Sequence, residues 1–200
     1  MEVVLEVYTP DPEAIIEKAG RTCYKSPEKD AEHRAKFLQG IIRNGHTAVL
    51  EHSSATFRIT GVSRALTHQL VRHRHFSFCQ QSQRYVKENE PQYVSPEFPN
   101  EEAKKIYDEF MLNAWNIYSK LVEYGMKKED ARFVLPNAAC TEIVVTGNFR
   151  EWHQFLELRL DSHAQWEIRQ LANLLLIKLL EIAPNIFEDL KIKYLEVNKN

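Results

Sequence analysis

Residues 52–87 contain no aspartate or glutamate, although the chain of 200 residues has 28 acidic residues. The same segment carries five arginines, one lysine and four histidines. A fold must therefore bring acids from distant parts of the chain to these cations, leave them in solvent, or offer them to an anion. Arginine suits the last role, because its planar guanidinium matches phosphate and carboxylate oxygens through two parallel hydrogen bonds. Long-range ion pairs, a solvated basic face and an anion site all stay open on this pattern alone.

Strand and helix patterns follow one another irregularly along the chain. Side-chain alternation predicts strands, and stripes of period 3.6 predict helices. The predicted strands are residues 2–8, 54–60 and 141–146, with an extended segment over 77–86. The predicted helices are a short one that starts at Asp11-Pro12-Glu13 and others over residues 30–42, 62–74, 101–123, 128–134, 147–160 and 164–183. Because no regular βαβ order is present, we expect an α+β fold in which a mixed sheet packs against long helices, in a single domain over residues 1–200.

The helix predicted over residues 62–74 has an apolar stripe that becomes polar towards its C-terminal end. Leu66 and Leu70 occupy the stripe, and Gln69 and His73 continue it. A buried amide and a buried imidazole need hydrogen-bond partners. A ligand or a subunit interface would supply them.

The chain is expected to be cytoplasmic. The N-terminal sequence MEVVLEVYTPDPE has no basic start and no long apolar run, so it does not resemble a signal peptide. The most apolar stretch, residues 171–183, is interrupted by Asn173, Lys178 and Glu181 and is too short to span a bilayer. Three cysteines without a CxxC pair predict free thiols rather than a disulfide framework or a zinc site.

The densest motif lies inside the basic segment. Arg72-His73-Arg74 is followed after seven residues by Ser82, and then by Arg84-Tyr85. This RHR-x7-S arrangement is the signature of flavin-dependent thymidylate synthases, and the chain resembles that family. Further resemblances lie in Gly45-His46-Thr47, Glu51-His52, residues 130–136 (DARFVLP), Asn148-Phe149-Arg150, Gln154 and residues 158–167. Residues 1–20, 88–100 and 185–200 carry little of it.

The resemblance implies the family's fold and activity. The expected reaction is the reductive methylation of dUMP to dTMP, with methylenetetrahydrofolate as carbon donor, FAD as redox cofactor and NADPH as reductant. The expected assembly is a homotetramer whose sites lie between subunits. The sequence agrees in one respect: none of its six glycines forms a Gly-x-Gly-x-x-Gly motif, so we expect no Rossmann phosphate loop.

The resemblance also assigns residues to each ligand. The expected FAD contacts are Thr47, Arg72, His73, Arg74, Gln80, Asn148, Phe149, Arg150 and Gln154. The expected dUMP contacts, from different protomers, are Gln69, Leu70, Val71, Arg72, Gln80, Gln81, Ser82, Gln83, Arg84, Arg132 and Arg159. Of these, Arg84 and Arg132 suit the phosphate.

Arg159 is expected to be the catalytic residue. It stands three or four residues from Phe155 and Leu156, on the apolar stripe of its helix, so it either meets an acid or faces a ligand. Near the uracil ring it would stabilise a deprotonated N3 and raise the electron density at the carbon that is methylated. Ser82 is expected to bind rather than attack, because no base of the triad type is evident. Gln80 stands where some members carry an acid, and an amide cannot act as a base.

Two other classes of protein fit parts of the sequence. The candidate ligands of a metal enzyme are His73, His75, His153 and His163. Nothing resembles HExxH, however, and the intervening arginines would repel a dication. A nucleic-acid module could stack bases on Phe76, Phe78 and Tyr85, but a pI near 6.5 and acidic flanking segments disfavour it. We therefore expect no metal, no nucleic acid and no membrane among the partners.

Several other aromatic side chains are assigned less sharply. His46, His52 and His163 are either core histidines or stacking partners of flavin or folate. Trp115, Trp152 and Trp166 are expected in the core.

Overall fold

The computed structural model of the chain describes residues 1–28, 30–88 and 90–196. The helices are α1 (Pro12–Tyr24), α2 (Ala31–Arg43), α3 (Arg64–Leu70), α4 (Glu101–Glu123), α5 (Lys128–Ala131), α6 (Phe149–Arg159), α7 (Trp166–Ile182) and α8 (Pro184–Lys191). The strands are β1 (Glu2–Tyr8), β2 (Ser54–Ser63), β3 (Ser77–Gln80) and β4 (Cys140–Asn148). Shorter turns of 3-10 helix lie at Thr47–His52 and Arg132–Val134, and a π-helical turn lies at Ile192–Glu196. The predicted α+β class is confirmed.

The four strands form one sheet in the order β1-β2-β4-β3. Each strand pair in the described part of the chain is antiparallel, where the sequence predicts a mixed sheet. Side-chain alternation reports which face of a strand is buried, but it carries no signal for the direction of the neighbouring strand. Buried and half-buried positions alternate along β4, so one face of the sheet lies on the core.

β2 continues through Gly61, which the sequence predicts as its end. The register of β2 against β4 shifts between Ile59 and Val62, and Gly61 has a φ of 66°. Glycine suits this bulge because positive φ is unfavourable for side chains with a Cβ. A Cβ on Gly61 would also lie 3.2 Å from the backbone nitrogen of Met1. The strand therefore bends at Gly61 and reaches Ser63.

α3 is shorter than predicted at both ends. Ser63 caps it by accepting a hydrogen bond from the Leu66 amide at 2.9 Å. The buried Glu167 at the start of α7 accepts from the Ser63 amide at 2.8 Å and from its hydroxyl at 2.5 Å. The helix ends at Leu70, so residues 72–74 lie in a turn and not on the helix. The early end follows from the topology, because β3 begins a few residues later and the chain must first reverse direction.

β3 is also shorter than the extended segment predicted over residues 77–86. It pairs with β4 only as far as Gln80, opposite Ile143, and the chain then turns. One more ladder-like bond joins the Gln81 amide to the Glu142 carbonyl at 2.9 Å. The segment after β3 is therefore a loop packed on the sheet edge.

The main core lies between the sheet and α6, α7 and α8. Phe57 of β2 and Val145 of β4 are fully buried, and they belong to the same cluster as Trp152 of α6 and Leu175 of α7. The final helix α8 has no counterpart in the sequence prediction, although it buries Phe187 in this cluster. A smaller cluster, centred on Met111, Trp115 and Ala139, holds α4 against the loop before β4.

Two of the three tryptophans lie in the core as predicted. Trp152 and Trp115 are 0% and 3% exposed. The prediction for Trp166 is wrong, since its side chain is 41% exposed. It is the first residue of α7 and stands at the surface end of that helix.

The three cysteines are free thiols, and Cys23 and Cys79 are exposed. None of the described helices has the length and apolar character that a bilayer crossing requires.

Candidate functional site

The turn between α3 and β3 presents the three residues of the RHR motif. The His73 amide donates to the Leu70 carbonyl at 3.1 Å, and the Phe76 amide donates to the His73 carbonyl at 3.2 Å. The Phe76 ring is buried and lies 4.4 Å, centroid to centroid, from Trp152. It packs directly over Gly147 of β4, where an added Cβ would lie 2.2 Å from the ring. Phe76 thus fixes the turn to the sheet. Arg72 and Arg74, in the same turn, are exposed.

This turn faces α6 across a cleft of about 270 Å³. The cleft is lined by Arg72, His73, Arg74, His75, Glu151, Gln154, Leu158 and Arg159. Asn148 sets the start of α6, because its side chain caps the helix by accepting from the Glu151 amide at 2.9 Å. The sequence places the last helical residue, Arg159, on the apolar stripe, and the structure shows why a charge is tolerated there. Nε of Arg159 donates a hydrogen bond to Nε2 of His73 at 3.0 Å.

Burial and electrostatics in this cleft keep His73 neutral. Burial, and secondly the charge of Arg159, lower the pKa of His73 to about 4. Burial also lowers the pKa of Arg159 from its ordinary value, although a guanidinium stays protonated at any physiological pH. The cleft therefore places the charged guanidinium of Arg159 beside a neutral imidazole.

A second cleft of about 230 Å³ adjoins the first. It is lined by Thr47, Leu50, Arg150, His153, Gln154 and Glu157. Gln154 borders both clefts, so the predicted cofactor residues Thr47 and Arg150 lie next to the RHR turn. Arg150 forms an ion pair with Glu51 in the 3-10 turn before β2. Six of the nine predicted FAD contacts thus line two neighbouring clefts on one side of α6.

The other three predicted FAD contacts do not line either cleft. Asn148 uses its side chain as a helix cap, as described above. The Phe149 ring is fully buried and lies 5.5 Å from Phe187, so its side chain belongs to the core of this chain. Gln80 donates through Nε2 to the hydroxyls of Thr67 at 3.1 Å and Thr141 at 3.2 Å. The cofactor roles of all nine residues stay predictions.

The predicted dUMP contacts fall into two groups at opposite ends of β3. The first group is at the C-terminal end of α3 and in the cleft: Gln69, Leu70, Val71, Arg72 and Arg159. The second group begins at the last residue of β3 and continues after it: Gln80, Gln81, Ser82, Gln83, Arg84 and, from the 3-10 turn after α5, Arg132. Leu70 is fully buried and Gln83 is 4% exposed, whereas Val71 and Arg84 are exposed. Within one chain, Arg159 and the arginines predicted to hold phosphate are therefore separated by the length of the strand.

Arg84 and Arg132 meet at Glu129. Nε of Arg84 lies 3.1 Å from Oε2 of Glu129, and Nε of Arg132 donates to the Glu129 carbonyl at 3.0 Å. The ion pair is exposed, so it is weak and open to exchange with another anion. The structure thus brings together the two arginines that the sequence assigns to a phosphate.

A buried polar cluster under the 81–88 loop contains one predicted residue, the dUMP contact Gln83, and two residues that the sequence predictions miss, Arg64 and Glu88. Nε of Arg64, Nε2 of Gln83 and Oε1 of Glu88 are buried, and none has a hydrogen-bond partner among the residues described. Burial raises the pKa of Glu88 and lowers that of Arg64. Arg64 also donates through Nη2 to the Gln81 carbonyl at 3.0 Å, which ties α3 to the loop. Among the two residues that the predictions miss, only Arg64 has a sequence signal, because it belongs to the acid-free segment.

The acid-free segment is neutralised only in part. Arg58 forms ion pairs with Glu6 and Glu142, and Arg84 pairs with Glu129, as the long-range alternative expects. Neither Arg72 nor Arg74 has an ion-pair partner in residues 1–28, 30–88 and 90–196. These two exposed guanidinium groups beside the cleft are therefore free to meet an anion.

The histidines whose roles were open lie at the surface. His46, His52 and His163 are all exposed, so the core interpretation is wrong for each of them. His163 lies 2.7 Å from Asp161, and His153 lies 3.0 Å from Asp189. The described part of the chain contains no group of three or more histidine, cysteine or acidic side chains that could hold a metal ion.

Comparisons with known proteins agree with one another. Residues 4–185 match the family described as thymidylate synthase complementing protein. The flavin-dependent thymidylate synthase of Geobacter sulfurreducens is 45% identical over 200 residues, covering 94% of this chain and 86% of that protein. The enzyme of the same name from Corynebacterium efficiens is 43% identical over 204 residues, covering 92% of this chain and 81% of that protein.

The fold has a counterpart among solved structures. The crystal structure of the flavin-dependent thymidylate synthase of Helicobacter pylori, complexed with FAD and dUMP, matches with a TM-score of 0.80. The match has 28% sequence identity and covers 94% of this chain and 99% of that one. The signature motif, the match over most of the chain and the shared fold together show that this chain belongs to the flavin-dependent thymidylate synthase family.

Proposed function

We propose that the protein methylates dUMP reductively to dTMP, with methylenetetrahydrofolate as carbon donor, FAD as cofactor and NADPH as reductant. The observation that carries the proposal is the RHR turn, held beside α6 with Arg72 and Arg74 exposed and with Arg159 fixed in the cleft. The Helicobacter pylori relative was crystallised with FAD and dUMP, which supports the same two ligands here.

The residues at the clefts fit a dinucleotide cofactor. FAD carries a diphosphate, and the exposed guanidinium groups of Arg72 and Arg74 are suited to hold it by paired hydrogen bonds. Thr47 and Gln154 add uncharged polar groups along the same groove. Once bound, the flavin would supply the redox chemistry that no side chain can provide.

The dimensions of the clefts support sites between subunits. Each is at or below the low end of the roughly 300–1,000 Å³ of typical ligand pockets. In addition, Arg159 and the pair Arg84 and Arg132 lie at opposite ends of β3. We propose that copies of the chain complete one another's sites in a homotetramer, so that one dUMP meets Arg159 of one protomer and the phosphate arginines of another.

The chain's own residues then have distinct tasks. Arg84 and Arg132 would hold the dUMP phosphate, which displaces Glu129 from its exposed ion pair. Arg159 would face the uracil N3 and stabilise negative charge there, which raises the electron density at the carbon to be methylated. A cysteine nucleophile is not required by this scheme. Burial raises the pKa of Cys140, which disfavours its thiolate.

The proposal is tested with purified protein incubated with FAD. We expect a yellow protein whose flavin spectrum changes on addition of dUMP, and which forms dTMP when methylenetetrahydrofolate and NADPH are supplied. A nucleic-acid-binding protein would stay colourless, which separates the two classes in one measurement. Protein that retains no flavin and ignores dUMP would contradict the proposal.

A further inference from the structure

We infer that His73 is a positioning residue, whose Nε2 lone pair holds the guanidinium of Arg159 in the cleft without cancelling its charge. The inference rests on the proposed function and adds a role within its site. The first observation is the direction of the hydrogen bond between Arg159 and His73. The guanidinium has only donors, so at 3.0 Å Nε2 of His73 must be the acceptor.

This direction fixes the protonation state of the imidazole. A neutral histidine that accepts at Nε2 carries its proton on Nδ1, and an imidazolium would present a donor to a donor. The lowered pKa of His73, about 4, agrees with a neutral ring at neutral pH. The other charged or titratable groups that line the cleft are Arg72, Arg74, His75 and Glu151.

The imidazole is itself held in place from two sides. Its ring meets Phe155 edge-on at 4.9 Å, and Phe76 lies 6.2 Å away. Phe155 precedes Arg159 by one turn on α6, so both residues reach the histidine from the same face of that helix. The ring is therefore a rigid link between the RHR turn and the end of α6.

A neutral partner has a chemical consequence that an acidic partner would not have. A carboxylate would orient Arg159 equally well but would neutralise it. Arg159 uses its Nε–H for the bond to His73. Neither of its two terminal NH2 groups has a hydrogen bond to any of the residues described. They remain available, with the full positive charge, to an anionic ring system in the cleft.

The test compares two substitutions that both remove the imidazole. In His73→Gln the side-chain oxygen can take the place of Nε2 as acceptor, whereas His73→Leu has no acceptor. We expect kcat/KM for dUMP to fall about 10- to 100-fold further in His73→Leu than in His73→Gln, with equal FAD content per protomer. Equal activity in the two variants would overturn the inference. His68→Leu, an exposed histidine on α3, serves as the control.

A second measurement does not depend on turnover. Nitrogen NMR of full-length protein labelled with 15N-histidine and loaded with FAD reports the tautomer of each ring, and the His73 signal is identified by its loss in His73→Gln. We expect the Nδ1–H tautomer at pH 7 and a change of that signal in Arg159→Ala. An Nε2–H tautomer or an imidazolium would overturn the inference. If the expected tautomer is found but the wild type forms no dTMP, the proposed function fails while the positioning role stands.

Discussion

Arg159 has a half-buried guanidinium that meets a neutral ring and no acid. Burial of a guanidinium without an acidic partner lowers the stability of the fold, because the charge loses water. Such a residue is therefore expected where a ligand pairs with the charge. Its position at the end of α6, in the same cleft as the RHR turn, is the arrangement expected of a residue that stabilises a developing anion.

Replacement of this guanidinium should separate catalysis from cofactor binding. We expect Arg159→Ala to lower dTMP formation by at least about 100-fold, because one transition-state donor is lost. The protein should stay folded and yellow, since the flavin diphosphate is assigned to Arg72 and Arg74. Product assays and the flavin absorbance of the same sample check this. Arg43→Ala, an exposed arginine on α2, is the matched control, and unimpaired dTMP formation in Arg159→Ala would remove Arg159 from the mechanism.

Ser82 is a binding residue in the proposed scheme. Its hydroxyl accepts from the Arg84 amide at 3.3 Å, a contact that shapes the loop and does not activate the oxygen. We expect Ser82→Ala to keep measurable turnover, within about tenfold of the wild type, as for the loss of one neutral hydrogen bond. Complete loss of dTMP formation with FAD and dUMP still bound would instead support a nucleophilic serine.

At the scale of elements, the contact between β4 and the RHR turn depends on a missing side chain. Gly147 has no Cβ, and the Phe76 ring occupies that space within a cluster that also contains Trp152 and Phe155. The ring cannot move aside cheaply, because packed aromatic neighbours surround it. The position of the turn is therefore set by one glycine in a strand.

Gly147→Ala should displace Phe76 and with it the turn. We expect a loss of about 1–3 kcal/mol of stability from overpacking, together with weaker FAD binding. Urea unfolding and a flavin titration measure the two effects. Gly40→Ala is the control, because nothing lies within 4 Å of an added Cβ at that position of α2, and it should be neutral or slightly stabilising. Similar behaviour of the two variants would show that the turn is not anchored in this way.

α1 and α2 are joined through a buried carboxylate. Glu17 is fully buried and accepts from Nε of Arg21 and Nε of Arg34, each at 2.7 Å. Burial raises the pKa of Glu17, but the hydrogen bonds and charges of the two arginines outweigh burial, so the net shift is downward. A carboxyl whose pKa is lower in the folded state stabilises the fold above its unfolded pKa, ordinarily 4.5, and loses this contribution as the pH falls through the folded pKa.

Glu17→Gln should therefore destabilise the protein in a pH-dependent way. We expect a loss of roughly 2–3 kcal/mol at pH 7, since two charged hydrogen bonds are weakened and two arginines lose their counter-charge. The difference from the wild type should shrink as the pH falls below the ordinary glutamate pKa of 4.5 and through the lower pKa of the folded state. Urea unfolding at several pH values measures it. Glu32→Gln, which breaks an exposed pair with Lys36 in α2, should cost less than about 0.5 kcal/mol, and an equal cost would contradict the role of burial.

At the scale of the whole molecule, α4 has two apolar faces. One face buries Met111 and Trp115, and the other leaves Ile106, Phe110 and Ile117 between 40% and 61% exposed. At 100° per residue these three exposed side chains lie within about 40° of one another, so they form a stripe along one side of the helix that is interrupted by Asn113. Such a stripe on a surface helix is typical of a protein–protein contact.

A charge on this stripe should disrupt the proposed homotetramer. We expect Phe110→Glu to lower the mass measured by size-exclusion chromatography with light scattering, and to lower activity because sites between subunits would be incomplete. Leu112→Glu, an exposed leucine on a different face of α4, should leave the mass unchanged. An unchanged tetramer in Phe110→Glu would place the contact elsewhere, and a monomeric wild type would contradict the assembly itself.

Local patterns predicted most of the elements but only some of their ends. The limits of β1 and α4 match the prediction, because alternation and helical stripes arise from contacts between neighbours in the sequence. The end of β2 and both ends of α3 do not match. A bulge at Gly61, the bond from Ser63 to Glu167 and the early start of β3 decide them, and each involves residues distant in the chain. The main core draws on residues from Ile16 to Leu190. The single domain over residues 1–200 stays a prediction.

The sequence by itself determined the family, through the RHR-x7-S motif, and the presence of a basic segment without acids. It also determined which residue types are available for phosphate. Only the tertiary structure decided which cations are neutralised, that Arg159 meets His73, and that Arg84 and Arg132, the arginines proposed to hold phosphate, lie at the other end of β3. The physical reason is distance along the chain: Arg159 and His73 are 86 residues apart, and their hydrogen bond exists only because α6 and the turn after α3 pack on the same sheet.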